Sequence, residues 1–205
     1  MAVIKLSQRS YDIQASPIRK LTPYADEAKR RGIKVYHLNI GQPDIETPPV
    51  YWEAIRKYGE KVLKYGPSNG IGLYLESLKK YYNKIGFNVR SDDIFVTTAG
   101  SEAIIFTFLA VMNPGEEVII PEPYYTNYNG FATMAGVNII PLTTFIEDGF
   151  KLPPAEKFEE KITDKTKAIL LCNPGNPTGT VYSEEELSMV VELAKKYNLF
   201  LITDE

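Results

Sequence analysis

The stretch Ala168-Ile169-Leu170-Leu171-Cys172-Asn173-Pro174-Gly175-Asn176-Pro177-Thr178-Gly179 decides how this chain folds. Its first five residues are an apolar run without alternation, the pattern of a strand covered on both faces and hence of a parallel sheet. The rest is a loop of Pro, Gly and Asn. Beyond it, Ser183 with Glu186 three residues on is a capping box, and Leu187, Val190, Val191 and Ala194 repeat at helical spacing. A second apolar run, Leu199 to Ile202, ends at Thr203-Asp204-Glu205. Strand, loop, helix and strand make a βαβ unit, whose crossover should be right-handed.

Ligands of such sheets occupy the crevice at the carboxyl ends of the strands. Asn176 and Asp204 each follow a strand at that edge. The amide can donate to an oxyanion, and the carboxylate can hold a proton on a ring nitrogen, so the pair suits a planar heterocycle carrying both groups. Turn residues and a strand ending in Asp are each common for structural reasons alone. Their joint occurrence points to a ligand.

At these residues the chain resembles the class I/II aminotransferases, the fold-type I pyridoxal phosphate family, through Asn176-Pro177-Thr178-Gly179 and, at the expected separation, Thr203-Asp204-Glu205. The resemblance implies an α/β fold of three layers, α/β/α, with a mostly parallel sheet. It implies pyridoxal phosphate as cofactor, its phenolate at Asn176 and its pyridinium at Asp204, where the carboxylate maintains the ring as an electron sink. Gly100-Ser101-Glu102, opening a helix, resembles the family's phosphate cup, in which first-turn N–H groups and a hydroxyl bind phosphate oxygens. Taken alone, Ser101 is equally a helix cap.

By the same resemblance Tyr125 stacks on the cofactor ring, with Tyr124 the competing choice. Tyr65, in Tyr65-Gly66-Pro67-Ser68-Asn69-Gly70-Ile71-Gly72, inherits the role of reaching the cofactor phosphate of a neighbouring subunit, and Gly41 that of meeting the substrate carboxylate through its backbone, beside Asn176. Without the family these two are a surface aromatic and a turn glycine. The segments around Gly41, Tyr65 and Asn176 look most like the prokaryotic aspartate aminotransferases. The expected organisation is an N-terminal arm and small-domain segment over residues 1–46 and a partial large cofactor-binding domain over 47–205.

In the family the lysine that carries the cofactor, the arginine that grips the substrate carboxylate and a cofactor-contacting tyrosine all lie C-terminal to the position of Asp204. They fall beyond Glu205, so the expectation is a piece of a longer protein, inactive by itself. The whole protein would be a homodimer transferring an amino group from an L-amino acid, aspartate foremost, to a 2-oxo acid such as 2-oxoglutarate. A lyase or synthase using the same cofactor, such as a C–S lyase, would share Asn176 and Asp204. A sensor domain of this fold in a transcription regulator would need a DNA reader ahead of it, for which the polar N-terminus leaves no room.

Composition narrows the field further. With 23 basic and 26 acidic side chains among 205 residues the net charge is −3, and no basic block tracks a nucleic acid. No apolar stretch reads as a signal peptide or a membrane span, which makes the cytoplasm the default. The one cysteine, Cys172, reads as a core thiol, and with the one histidine, His37, it cannot build a zinc site. The Gly-rich loop after Tyr65 lacks the Gly-Lys-Ser/Thr ending of a P-loop, and no strand leads into Gly-x-Gly-x-x-Gly. Other expected elements are helices over Leu21 to Arg31, from Thr47 as cap to Lys57 or Tyr58, over Leu73 to Lys84, Ile104 to Met112 and Pro153 to Lys161. Strands are expected over Val35 to Ile40, Ile94 to Thr97, Glu117 to Ile120 and Val137 to Thr144.

Overall fold

The computed structural model describes residues 4–17 and 19–205. They form two compact units, Met1–Pro23 with Ala99–Glu205, and Tyr24–Thr98.

The first unit opens with a single helical turn, α1 (Gln8–Asp12), that no periodicity announces. Helix α2 (Thr22–Arg30) carries Lys29 and Arg30 in its last turn, where the dipole favours cations, and is followed by Gly32 at φ +75°. Helix α3 (Pro49–Lys57) starts on proline, whose missing N–H costs nothing there. Its cap position is Pro48 and not the expected Thr47, and no side chain closes it. Helix α4 (Gly72–Lys84) buries Leu75.

The strands expected at Val35 to Ile40 and at Ile94 to Thr97 do not form. An extended segment becomes a strand only when a neighbour completes its ladder, and the described residues of this second unit contain no strand. Leu38 is 96 % exposed. Val96 makes one backbone bond, to the Asn69 carbonyl at 3.0 Å, too few for a ladder.

The rest of the first unit runs α5 (Gly100–Val111), β1 (Glu117–Glu122), α6 (Asn127–Ala135), β2 (Asn138–Thr143), α7 (Ala155–Glu159), β3 (Thr166–Cys172), α8 (Glu184–Tyr197) and β4 (Phe200–Asp204). The four strands form one parallel sheet in the order β2-β1-β3-β4. Alternate residues of the central strands face opposite layers. Val118, Ile120, Ala168 and Leu170 pack with Ile104, Phe108, Tyr128 and Phe131 of α5 and α6. Ile119, Ile169 and Leu171 pack with Phe158, Val190 and Leu193 of α7 and α8. This is the three-layer α/β/α arrangement. Burying side chains as large as Phe108 and Phe158 stabilises it by about 2–3 kcal/mol each.

Helix α8 is specified locally. Ser183 Oγ accepts from the Glu186 N–H at 3.2 Å, Glu186 Oε2 accepts from the Ser183 N–H at 2.7 Å, and Asn198 in the left-handed region ends the helix. Glu186 Oε1 also accepts from the Leu152 N–H at 2.7 Å, tying the segment before α7 to this cap. By contrast α7 is shorter than expected, because Pro153 and Pro154 hold the chain extended until Ala155.

The crossover from β1 to β2 uses α6 on one face, and that from β3 to β4 uses α8 on the other. The two step in opposite directions along the sheet, so they share one hand. Between β1 and β3 the strand order reverses. The carboxyl ends of these two strands flank the crevice where open sheets of this kind bind ligands.

Candidate functional site

Four features converge on the carboxyl edge of the sheet, each carried there by the element before it. The first is the loop after β3. Its start is pinned by the Asn173 N–H, which donates to the Asp204 carbonyl at 3.0 Å, while Asn173 Oδ1 accepts from the Tyr182 N–H at 3.1 Å. Inside it, Gly175 N–H donates to the Thr180 carbonyl and Gly179 N–H to the Gly175 carbonyl, both at 2.7 Å. A Cβ on Gly175 would lie 2.6 Å from Thr178 Oγ1, so a larger residue fits there only if the Thr178 side chain gives way. The loop presents Asn176 exposed, with no bond to its amide among the described residues.

The second feature is Asp204, the last residue of β4 and the register partner of Cys172. It is half-buried, and its Oδ2 accepts from the Tyr128 hydroxyl at 2.5 Å. Its other oxygen takes no hydrogen bond among the described residues. Asn176 and Asp204 thus follow adjacent strands at one edge.

The third is the aromatic cluster after β1. The Tyr124 ring stacks on Tyr128 with centroids 6.0 Å apart, and its hydroxyl donates to Asn129 at 3.1 Å. The Tyr125 ring meets Tyr128 edge-on at 5.5 Å and Phe131 at 6.5 Å, and its hydroxyl accepts from the Asn127 amide at 2.6 Å. Burial, then the Glu122 carboxylate, hold the Tyr124 phenol above the ordinary tyrosine range.

The fourth is the start of α5, the helix that leads into β1 and packs Ile104 and Phe108 with Val118 and Ile120 of that strand. Its cap residue, Ala99, has φ +73° and ψ 167°, a region that residues other than glycine rarely adopt. No side chain caps the helix. Ser101 lies inside the first turn, with Gly100 before it and Glu102 after, and is not the cap. The strained Ala99 backbone thus stands at a helix start, where first-turn N–H groups point away from the helix.

Gly41 and Tyr65 lie in the other unit, both exposed, Gly41 in an irregular segment and Tyr65 in the loop before α4. Among the described residues no group of His, Cys, Asp and Glu is placed to hold a metal ion, and no helix is long and apolar enough to cross a membrane. The half-buried Cys172 thiol donates to the Pro174 carbonyl at 3.4 Å. Sequence reasoning missed Tyr128 and Asn127. The signal was present: Tyr124, Tyr125 and Tyr128 at i, i+1 and i+4 share a helix start at a strand tip.

Residues 33–205 match the family of class I and II aminotransferases. The chain belongs to that family. It is 34% identical over 202 residues to the aspartate/prephenate aminotransferase of Thermus thermophilus, covering 98% of this chain and 52% of that protein. Against the solved structure of a Thermus thermophilus aspartate aminotransferase mutant it superposes with a TM-score of 0.92 at 33% identity, over 99% of this chain and 53% of the other. An alanine aminotransferase from Pyrococcus furiosus gives 0.88 at 32% identity, over 98% and 52%. The chain therefore spans about half the length of these aminotransferases.

Proposed function

We propose that this chain is the cofactor-binding half of a pyridoxal phosphate-dependent aminotransferase that moves an amino group between an L-amino acid, aspartate first, and a 2-oxo acid such as 2-oxoglutarate. The observation that carries the reading is the placement of Asn176 and Asp204 at the tips of the neighbouring strands β3 and β4, on the carboxyl edge of the sheet and beside the reversal of strand order between β1 and β3. The donor set suits the cofactor. Asp204 offers one unbonded carboxylate oxygen to a ring N–H, Asn176 an unengaged amide to an oxyanion, and the uncapped start of α5 suits a phosphate.

When bound, the cofactor supplies an electron sink for charge developing at the substrate α-carbon. The chain's part is to hold it. Gly100, Ser101 and Glu102 receive the phosphate through the first-turn N–H groups and the Ser101 hydroxyl. Asp204 keeps the proton on the ring nitrogen, and Asn176 orients the phenolate oxygen and faces the substrate. Tyr125 packs against the ring, because the face of Tyr124 is already engaged by Tyr128. Gly41 meets the substrate carboxylate through its backbone, and Tyr65 serves the phosphate of the neighbouring subunit in a homodimer. Residues 1–46 act as arm and small-domain segment, and 47–205 as part of the large domain. The whole protein works in the cytoplasm.

The test is a half-reaction with the full-length protein. L-Aspartate alone should convert the bound cofactor from its aldehyde to its amine form and release one equivalent of 2-oxo acid. Cofactor bound but unchanged by every amino acid tried, or release of a thiol and ammonia from sulfur amino acids, overturns the assignment.

A further inference from the structure

We infer that Tyr128 is a positioning residue for the proposed site: its hydroxyl donates to Asp204 Oδ2 and fixes that carboxylate in one orientation, so that the proton shared with a ring nitrogen sits on the nitrogen. This rests on the function proposed above and adds a residue to it.

The geometry is specific. Tyr128 is fully buried, in the core formed by α5, α6 and the sheet, and its phenol crosses 76 positions of sequence to donate to Asp204 Oδ2 at 2.5 Å. The ring has no freedom to turn away. Tyr124 stacks on it, Tyr125 meets it edge-on, and its N–H donates to the Tyr125 carbonyl at 3.0 Å. Burial first, then the Asp204 carboxylate and the Cys172 thiol, push its phenol far above the ordinary tyrosine range, which makes it a donor at every physiological pH.

A hydrogen bond to a charged carboxylate favours the charged form over the protonated acid. In a carboxylate–pyridine pair the proton has two homes, and a second donor on the carboxylate moves it towards the ring. Removing the donor lets it return to Asp204. The same hydrogen bond fixes the carboxylate torsion, leaving Oδ1 as the oxygen that is offered.

The experiment uses the full-length protein loaded with pyridoxal phosphate labelled with 15N in the ring. In the wild type the nitrogen resonance should lie in the pyridinium range. In Tyr128→Phe it should move towards the unprotonated range, with cofactor dissociation about tenfold easier, the size expected for losing one hydrogen bond to a charged group. Replacing Tyr128 alone by 3-fluorotyrosine, which keeps the shape and donates more strongly, should leave the resonance at or beyond its wild-type pyridinium position. A wild-type pyridinium signal that Tyr128→Phe leaves unmoved overturns the role of Tyr128 alone. Absence of that signal in the wild type overturns the assignment of Asp204, and with it the function proposed above. Should Tyr128→Phe fail to fold, the fluorotyrosine protein decides: a shift towards the unprotonated range sinks the inference.

Discussion

The Asn173 N–H donates to the Asp204 carbonyl at 3.0 Å, one step past the last register pair of β3 and β4. The loop that carries Asn176 is therefore clamped by its first residue to the backbone of Asp204. Sheet register, more than loop sequence, sets the separation of the amide and the acid.

Clamping makes the loop intolerant of bulk. Gly175→Ala places a methyl 2.6 Å from Thr178 Oγ1 and 3.4 Å from the Thr180 carbonyl. It should destabilise the protein by about 1–3 kcal/mol and weaken cofactor binding, because Thr178 Oγ1, which accepts from the Thr180 N–H at 3.2 Å, must give way. Urea unfolding with a cofactor titration checks this; wild-type values in both would show that the turn is looser than its hydrogen bonds suggest.

Asp204→Asn and Asn176→Ala in the full-length protein should separate two roles. An amide cannot stabilise a protonated ring nitrogen, so Asp204→Asn should lower turnover by roughly a hundredfold, the value of about 3 kcal/mol of lost charge pairing. Asn176→Ala removes one neutral donor and should cost about tenfold. Steady-state kinetics with aspartate and 2-oxoglutarate give the order, and equal losses would contradict the division of labour.

Ala99 sits in a conformation that costs of order 1–3 kcal/mol for a residue with a side chain. Ala99→Gly removes that cost and adds a smaller entropy to the unfolded chain, so the net should be a stabilisation of about 1 kcal/mol. A calorimetric Tm that falls instead would mean that the methyl packs usefully.

Glu186 closes two structures at once. Ser183→Ala should cost about 1 kcal/mol, the usual value of an N-cap. Glu186→Ala removes acceptors from both the Ser183 and the Leu152 N–H groups and should cost roughly 2–3 kcal/mol. Equal midpoints in denaturant would show that the Leu152 bond is replaced by water.

Burial first, then Cys172 and Glu186, push the Tyr182 phenol up to about 12 from 10.0. Because the folded value is the higher, the unfolded chain gives up its proton first. The stability held by the neutral phenol is fully present below pH 10.0 and is lost as pH rises towards about 12. Tyr182→Phe should flatten this alkaline limb of the Tm-against-pH curve. An unchanged slope would assign the limb to Tyr128, whose phenol is raised in the same direction.

The sequence by itself determined the parallel sheet, the βαβ unit and the identity of the two strand-tip residues. These depend on short-range properties: β3 is an unbroken apolar run because both its faces are covered, and α8 is announced by Ser183 and Glu186 because a capping box is local chemistry. Even so, Leu193, buried in α8, escaped the helical pattern that had singled out the half-exposed Val191. Only the tertiary structure decided the rest. Val35 to Ile40 reads as a strand, yet a strand is a property of a pair, and no strand ladder forms there among the described residues. Helix α6 has weak formers in Gly130 and Thr133, and is stabilised by Tyr128, Phe131, Ala132 and Ala135 buried against the sheet. The contact between Tyr128 and Asp204 spans 76 residues and exists only because α6 and β4 meet at one edge, which no local pattern encodes.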